Sequence, residues 1–113
     1  MTIENVPSGT AFVLKLSGEV DLHASPALRA ELLACIAAKT PLLLLDFSAV
    51  DYIDSSGLAT LIEYLKESAS FDGKFALVGL QKKVLAVLEL VRLDQLFVLA
   101  SDAPTALAKL GAK

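Results

Sequence analysis

The sequence is poor in the residues on which most enzymes, metal sites and nucleic-acid-binding surfaces depend. Its 113 residues include one histidine, one cysteine and no tryptophan, and aromatic residues make up only 6% of the chain. One histidine and one cysteine argue against a zinc site, and a lone cysteine cannot form an intrachain disulfide. Few aromatic residues and a net charge of −3 leave little for stacking on bases or contacting phosphates. The composition predicts a protein that is not an enzyme, holds no cofactor or metal, and binds no nucleic acid directly.

Membrane-spanning and secretory patterns are also missing. No apolar run approaches the roughly 20 residues that a membrane-spanning helix needs. The first residues lack a basic stretch followed by an apolar one, so no secretory signal is evident. In contrast, 55% of the residues are hydrophobic, which is enough for a buried core. We therefore expect one domain over residues 1–113, located in the cytoplasm and not inserted in a membrane.

Short apolar runs alternate with helical patterns along the chain. Apolar residues recur at helical spacing in four segments: Leu28, Leu32, Cys35 and Ile36; Leu58, Leu61, Ile62, Leu65 and Ala69; Val84, Leu85, Leu88 and Val91; and Leu107 and Leu110. Because Cys35 falls on one of these apolar stripes, it is predicted to be a buried, inert thiol. The predicted strands are Phe12–Ser17, Glu19–Leu22, Leu42–Phe47, Lys74–Val78 and Leu96–Leu99. Helices between consecutive strands are typical of parallel crossovers. The pattern therefore predicts an α/β fold.

The ends of several elements can be predicted from single residues. Gly18 separates two extended pieces and indicates either a turn or a bulge, so these pieces form a bent strand or a hairpin at the sheet edge. The segment Met1–Thr10 is predicted to be an irregular lead-in. Ser25 before Pro26 is typical of a helix start with serine as the cap, and Ser101 is predicted to cap the last helix.

The segment Asp51–Gly57 is predicted to join the central buried strand to the second helix. In a parallel sheet it lies at the carboxyl end of a strand, where α/β folds place their sites. Asp54, Ser55 and Ser56 fall at the helix N-terminus, where free backbone N–H groups favour negative charge. Two interpretations stay open: a serine here simply caps the helix, or Ser55 is a switch that accepts phosphate. Gly57 costs about 1 kcal/mol relative to alanine, which close approach of another backbone or a ligand would explain.

Three other kinds of site are weaker hypotheses. Asp46, at the end of the central strand, suits an aspartyl-phosphate receiver, but the adjacent acidic pair and the lysine after the last strand are missing. Asp21, His23 and Asp51 have metal-ligating side chains, but with one histidine and no second cysteine a solvated loop accounts for them better than a metal site. A triad of Ser55, His23 and Asp46 lacks the G-x-S-x-G elbow around the serine.

Three stretches of the sequence resemble the STAS domain family. They are G-E-V-D at Gly18–Asp21, L-L-L-D-F-S-A-V-D-Y-I-D-S-S-G-L at Leu43–Leu58, and V-L-A-V-L-E-L-V-R-L-D-Q-L-F at Val84–Phe97. The resemblance covers nearly the whole chain and is greatest to stand-alone anti-sigma factor antagonists. It implies a small α/β domain with a mixed, mostly parallel sheet of four or five strands and about four helices.

The resemblance also implies a function and a set of site residues. In such antagonists, the serine directly after the aspartate, here Ser55, is phosphorylated by a GHKL-type serine kinase that is itself the anti-sigma factor. The unphosphorylated form binds the kinase and releases the sigma factor, and a PP2C-type serine phosphatase resets the cycle. Asp21 is implied to lie near this serine and to meet the partner. The partner-binding residues implied are Asp21, Asp54, Ser55, Ser56, Gly57 and Leu58.

A second function remains open for the same family. A STAS domain also serves as a subunit of larger machines, such as an ABC-type lipid-transport complex or a signalling assembly, in which phosphate need not cycle. In that case Ser55 is expected to act only as a helix cap.

Overall fold

Five strands and four α-helices follow one another in the computed structural model, which describes residues 1–8 and 11–111. In chain order they are β1 (Thr2–Ser8), β2 (Ala11–Val20), α1 (Ser25–Ala37), β3 (Leu42–Ile53), α2 (Ser55–Ser68), β4 (Lys74–Val78), α3 (Lys82–Leu90), β5 (Val98–Ala100) and α4 (Ala103–Lys109). The sheet order is β1-β2-β3-β4-β5. Only β1 runs antiparallel to its neighbour. The predicted mixed, mostly parallel α/β sheet is confirmed.

The apolar start of β3 is explained by helices on both faces of the sheet. Leu43 and Leu45 pack in the larger core with residues of α1, α2 and α3. Leu42 and Leu44 pack in a smaller core with residues of α4. Strands covered on both faces are continuously apolar rather than alternating. The layers therefore place α1 and α2 side by side on one face, with their first residues at the carboxyl edge of β2 and β3.

The N-terminal segment is more regular than its sequence predicts. Residues Thr2–Ser8 form β1 and pair with the whole first part of β2, so the prediction of an irregular lead-in was wrong. Ile3 packs against the larger core, opposite Leu16 of β2. Partial burial of Ile3 and backbone pairing with β2 are therefore sufficient to hold this edge strand, although its sequence shows little alternation of apolar and polar residues. Gly9 and Thr10 of the predicted lead-in lie outside the described residues.

Two irregularities interrupt the pairing of β2 with β3 before the candidate site. Gly18 has a φ of +95°, and the pairing register shifts directly after it. The two extended pieces around Gly18 are therefore one bent strand, which lies second in the sheet rather than at its edge. In the second half of β3 the buried residues Phe47, Val50 and Ile53 are separated by two exposed residues each, instead of the single residue of a regular strand. Because β3 continues to Ile53, the prediction that Asp51–Gly57 forms a connecting loop was wrong.

The buried helix faces largely follow the predicted spacing. Leu28, Leu32 and Cys35 of α1 are buried. Burial raises the pKa of the Cys35 thiol, which agrees with the prediction of an inert core thiol. On α2, however, Tyr64 is fully buried while Ile62, which belongs to the predicted stripe, is only half-buried. Tyr64 packs edge-to-face on Phe75 of β4 at 5.0 Å between ring centroids.

Predicted element ends differ from the structure by one or two residues. Ser25 is the first residue of α1 rather than its cap. Asp102, not Ser101, caps α4, and its carboxylate accepts a first-turn backbone N–H at 2.8 Å. The last strand begins at Val98 instead of Leu96, because the chain first forms a 3₁₀ turn. Adjacent serine and aspartate are both good caps, so the sequence pattern alone does not choose between them.

Candidate functional site

Two turns meet at the carboxyl ends of β2 and β3. One turn spans residues 21–24 and joins β2 to α1, and the other is the single residue Asp54 between β3 and α2. The strands are parallel neighbours, and their last paired residues are Val20 and Ile53. The N–H of Asp54 donates to the carbonyl oxygen of Val20 at 3.2 Å. The structure therefore brings together the two sequence segments that were predicted to form the site.

The carboxylate of Asp54 caps α2. Its Oδ1 accepts the backbone N–H groups of Ser56 at 3.0 Å and Gly57 at 3.2 Å. The Ser56 hydroxyl donates to the same oxygen at 2.6 Å. These N–H groups belong to the first turn, where no carbonyl of the helix can accept them. The prediction that Ser55 or Ser56 caps the helix was wrong, because Asp54 occupies the cap position with an extended backbone.

The same carboxylate also holds the neighbouring turn. Oδ2 of Asp54 accepts the backbone N–H of Leu22 at 3.2 Å. The Ser56 hydroxyl, followed by the backbone N–H groups, lowers the pKa of Asp54 below its ordinary value, although some desolvation opposes the shift. Asp54 is therefore a stable negative charge that links the β2–α1 turn to the start of α2.

We expect Asp54→Asn to lower the melting temperature in a pH-dependent way. The native pKa of Asp54 lies below its value of 3.8 in an unperturbed chain. The charged form therefore stabilises the fold above that value, and the stabilisation is lost as the pH falls through the native pKa. Thermal unfolding followed by circular dichroism should show the variant below wild type at neutral pH and converging with it in acid. Asp51→Asn, at an exposed carboxylate of β3, is the control, and a difference that does not change with pH would contradict this role.

The two serines at the start of α2 differ in their surroundings. Ser55 is exposed, and its hydroxyl makes no hydrogen bond with the described residues. Ser56 is half-buried, and its hydroxyl contacts the Asp54 carboxylate and, at 3.0 Å, the hydroxyl of Ser25. The sequence D-S-S-G does not distinguish the two. The structure leaves Ser55 accessible to a modifying enzyme and holds Ser56 in place.

Gly57 and Leu58, which the family resemblance places among the partner-binding residues, are buried. A Cβ on Gly57 would lie 2.7 Å from the carbonyl oxygen of Val20 and 2.9 Å from Cγ1 of Ile53. The expected reason for this glycine, close approach of another backbone, is therefore met by β2 of the same chain. Through these two buried residues the first turn of α2, which carries the exposed Ser55, packs closely against the sheet.

Asp21 is held in the turn between β2 and α1. Its carboxylate accepts the backbone N–H of Ala24 at 3.0 Å, and its carbonyl oxygen accepts the N–H of Ser25 at 2.8 Å. The side chain is half-buried, so part of the carboxylate stays exposed. Asp21 and Asp54 therefore lie on two turns that the N–H of Leu22 joins directly.

The structure adds an apolar groove that the sequence analysis missed. Leu22 is 70% exposed and Leu33 is 42% exposed. Both line a groove between α1 and α2, together with Pro26, Ala30 and Ala59. An apolar residue in a polar turn, as at Leu22, is the only sequence signal of this surface. The groove opens beside the turn that carries Asp21.

The weaker site hypotheses find little support in the geometry. Asp21, His23 and Asp51 line one shallow depression, but the described residues contain no group of three side chains placed to hold a metal ion. Asp46 lines a pocket with residues of α4, on the face of the sheet opposite the α2 helix that carries Ser55. The proposed triad is therefore not assembled. The Asp46 carboxylate instead accepts a backbone N–H two residues further along β3 at 2.9 Å.

Comparison with known proteins places this architecture in one family. The model of the STAS domain family matches residues 2–106, and the chain belongs to this family. An anti-sigma factor antagonist from Mycobacterium paratuberculosis superposes with a TM-score of 0.87 at 28% identity, over 97% of this chain and 93% of that one. The Bacillus cell fate determinant SpoIIAA, in its phosphorylated form, has a TM-score of 0.70 at 20% identity, over 96% of both chains.

A third similar structure comes from a different setting. A sulfate transporter family protein from Wolinella succinogenes superposes with a TM-score of 0.77 at 16% identity, over 94% of this chain and 88% of that one. Identity at this level shows a shared fold alone. In the chain as described, no helix combines the length and the apolar character that crossing a membrane requires.

Proposed function

We propose that this protein is an anti-sigma factor antagonist that acts by binding, in the cytoplasm, and is controlled by phosphorylation of Ser55. The observation that carries the proposal is the difference between the two serines: Ser55 is exposed at the start of α2, whereas the Ser56 hydroxyl is already hydrogen-bonded. The similarity to an antagonist at 28% identity over 97% of the chain supports the same function.

The proposed partner surface combines charge with apolar area. Asp54 and Asp21 provide the acidic part, next to Ser55, and the groove beside Leu22 provides the apolar part. Ser56 lines this groove, whereas the buried Gly57 and Leu58 contribute by fixing the first turn of α2. The partner proposed is a GHKL-type anti-sigma serine kinase, which binds the unphosphorylated form and thereby releases the sigma factor.

Phosphorylation of Ser55 would change the charge of this surface without unfolding α2. A phosphate adds about −1.5 to −2 charges at neutral pH. The N–H groups of Ser56 and Gly57 already donate to Asp54, so the phosphate would remain at the surface beside that carboxylate. In the complex the phosphate would lose its hydration against the partner surface without gaining a partner of its own, so the modification is expected to weaken binding. A PP2C-type phosphatase would restore binding by removing it.

Mapping of phosphate in native cells tests the proposal. Protein isolated from growing and from stressed cultures is digested and analysed by peptide mass spectrometry, beside a Ser55→Ala strain. We expect phosphate on Ser55 in wild type, in an amount that changes with growth condition, and none in the variant. If no condition gives phosphate on this serine, the switch is disproved. Co-purification with membrane transport proteins would then favour a role as a subunit of a transport complex.

A further inference from the structure

A chain of three oxygen contacts runs from the cap of α2 to the β2–α1 turn. The Ser56 hydroxyl lies 2.6 Å from Oδ1 of Asp54 and 3.0 Å from the Ser25 hydroxyl. The Ser25 hydroxyl lies 2.7 Å from the carbonyl oxygen of Asp21. Ser25 is only 7% exposed, so its hydroxyl must find its partners within the protein.

The two hydroxyls supply two hydrogens for these three contacts. A carboxylate and a carbonyl oxygen can only accept, so Asp54 and Asp21 contribute none. Because Ser56 donates its hydrogen to Asp54, the hydrogen of the Ser25 hydroxyl has to serve both of the other contacts. The carbonyl oxygen of Asp21 also accepts the backbone N–H groups of Ala24 at 3.1 Å and of Ser25 at 2.8 Å.

The arrangement that agrees with all three distances is a shared hydrogen bond: the Ser25 hydroxyl donates to the carbonyl oxygen of Asp21 at 2.7 Å and also to the Ser56 hydroxyl at 3.0 Å, while Ser56 donates to Asp54. Ser25 thereby holds the β2–α1 turn and the Ser56 hydroxyl together. Successive hydrogen bonds that end on a charged acceptor polarise and strengthen one another. This ordering also occupies both the hydrogen and an acceptor site of the Ser56 hydroxyl.

We propose that Ser25 is a positioning residue of the switch, which through the Ser56 hydroxyl fixes the Asp54 carboxylate relative to the turn carrying Asp21. The effect on partner recognition rests on the proposed function, because it matters only if the two carboxylates are recognised together. The geometry itself does not depend on a partner. The serine-to-serine contact crosses from α1 to α2, so it joins elements 31 residues apart in sequence.

Hydrogen exchange measured by NMR on the purified protein tests the link. The reporter is the backbone N–H of Leu22, which donates to Oδ2 of Asp54 and makes no contact with either serine hydroxyl in the described hydrogen bonds. We expect Ser25→Ala to speed its exchange roughly threefold to tenfold, as loss of a hydrogen bond that supports its acceptor would. The N–H of Leu77 in buried β4 should be unchanged.

Two further variants make the test specific. Ser56→Ala should speed exchange at Leu22 to a similar degree, and the double variant with Ser25→Ala should add nothing, because both remove the same link. Ser70→Ala is the matched control and should have no effect: this exposed serine lies on the 3₁₀ turn after α2, and its hydroxyl donates to the carbonyl oxygen of Glu67.

Three outcomes would overturn the proposal. The first is an exchange rate at Leu22 that Ser25→Ala leaves unchanged. The second is an equal increase of the exchange rates at Leu22 and Leu77. The third is a double variant in which the increase at Leu22 is the product of the increases in the two single variants. An equal increase would mean that Ser25 stabilises the whole fold instead of positioning the turn. Since no partner or phosphate enters the measurement, its failure is distinct from failure of the phosphate mapping.

Discussion

Ser55→Asp is expected to weaken binding to the anti-sigma kinase about 30-fold, with the fold unchanged. The substitution places one negative charge at an exposed position directly beside Asp54, on the turn joined to the one that carries Asp21. A charge that is buried in an interface without a partner costs several kcal/mol of hydration free energy, and a partial mimic of phosphate is expected to give about 2 kcal/mol. Isothermal titration calorimetry with the kinase purified from the same cells measures the effect.

Two variants serve as controls for this measurement. Ser70→Asp adds the same charge at an exposed serine outside the proposed surface and should bind like wild type. Ser55→Ala removes the hydroxyl without adding charge, so it should bind the kinase normally while losing phosphate turnover. Equal affinity for Ser55→Asp and Ser70→Asp would show that charge at the start of α2 does not control binding.

Gly57→Ala is expected to destabilise the protein by roughly 2–3 kcal/mol, although alanine is the better helix former by about 1 kcal/mol. The added Cβ would lie 2.7 Å from the carbonyl oxygen of Val20 and 2.8 Å from its Cγ1. The contact with Cγ1 of Ile53, at 2.9 Å, is equally short. Because β2 and β3 hold these atoms in the sheet, α2 must shift outwards.

The size of this effect can be measured by thermal and urea unfolding. A loss of 2–3 kcal/mol corresponds to a fall in melting temperature of roughly 8–12 °C for a chain of this size. Ala59→Gly, at an exposed position of the same helix, measures the difference in helix propensity between alanine and glycine and should lower the free energy of unfolding by about 1 kcal/mol. A Gly57→Ala protein as stable as wild type would mean that the start of α2 moves freely away from the sheet.

The partner surface should respond to the same substitution. If α2 shifts, Asp54 can no longer cap the helix and accept the N–H of Leu22 at the same time. The folded fraction of the variant should therefore bind the kinase more weakly than wild type. This links the packing at Gly57 to the proposed recognition of Ser55.

The alternation of strands and helices could be predicted because it depends on local periodicity. The run Leu42–Phe47 and the spacing of Leu28, Leu32 and Cys35 specify a buried strand and one helix face without reference to the rest of the chain. The D-S-S-G motif located the candidate site for the same reason: a strand, a cap and a helix are neighbours in sequence. These local features are sufficient to predict the fold class and the location of the candidate site.

Features that depend on distant residues could not be predicted. The first strand, Thr2–Ser8, has little pattern of its own and is held by pairing with β2. The extension of β3 to Ile53 results from bulges, whose extra residues interrupt the alternation that marks a strand. Asp54 and Asp102 each lie next to a serine that would cap a helix equally well. Where each helix begins, and therefore which residue caps it, depends on how the helix packs against the sheet.

By itself, the sequence determined that a serine lies at the start of a helix after a buried strand. Only the tertiary structure decided which of the two serines is exposed, because Ser56 is held by Asp54 on its own turn and by Ser25 on another helix. The contact with Asp54 is local, whereas the contact with Ser25 joins residues 31 apart in the chain. Sequence spacing carries no information about such contacts, whereas the parallel pairing of β2 and β3 creates them.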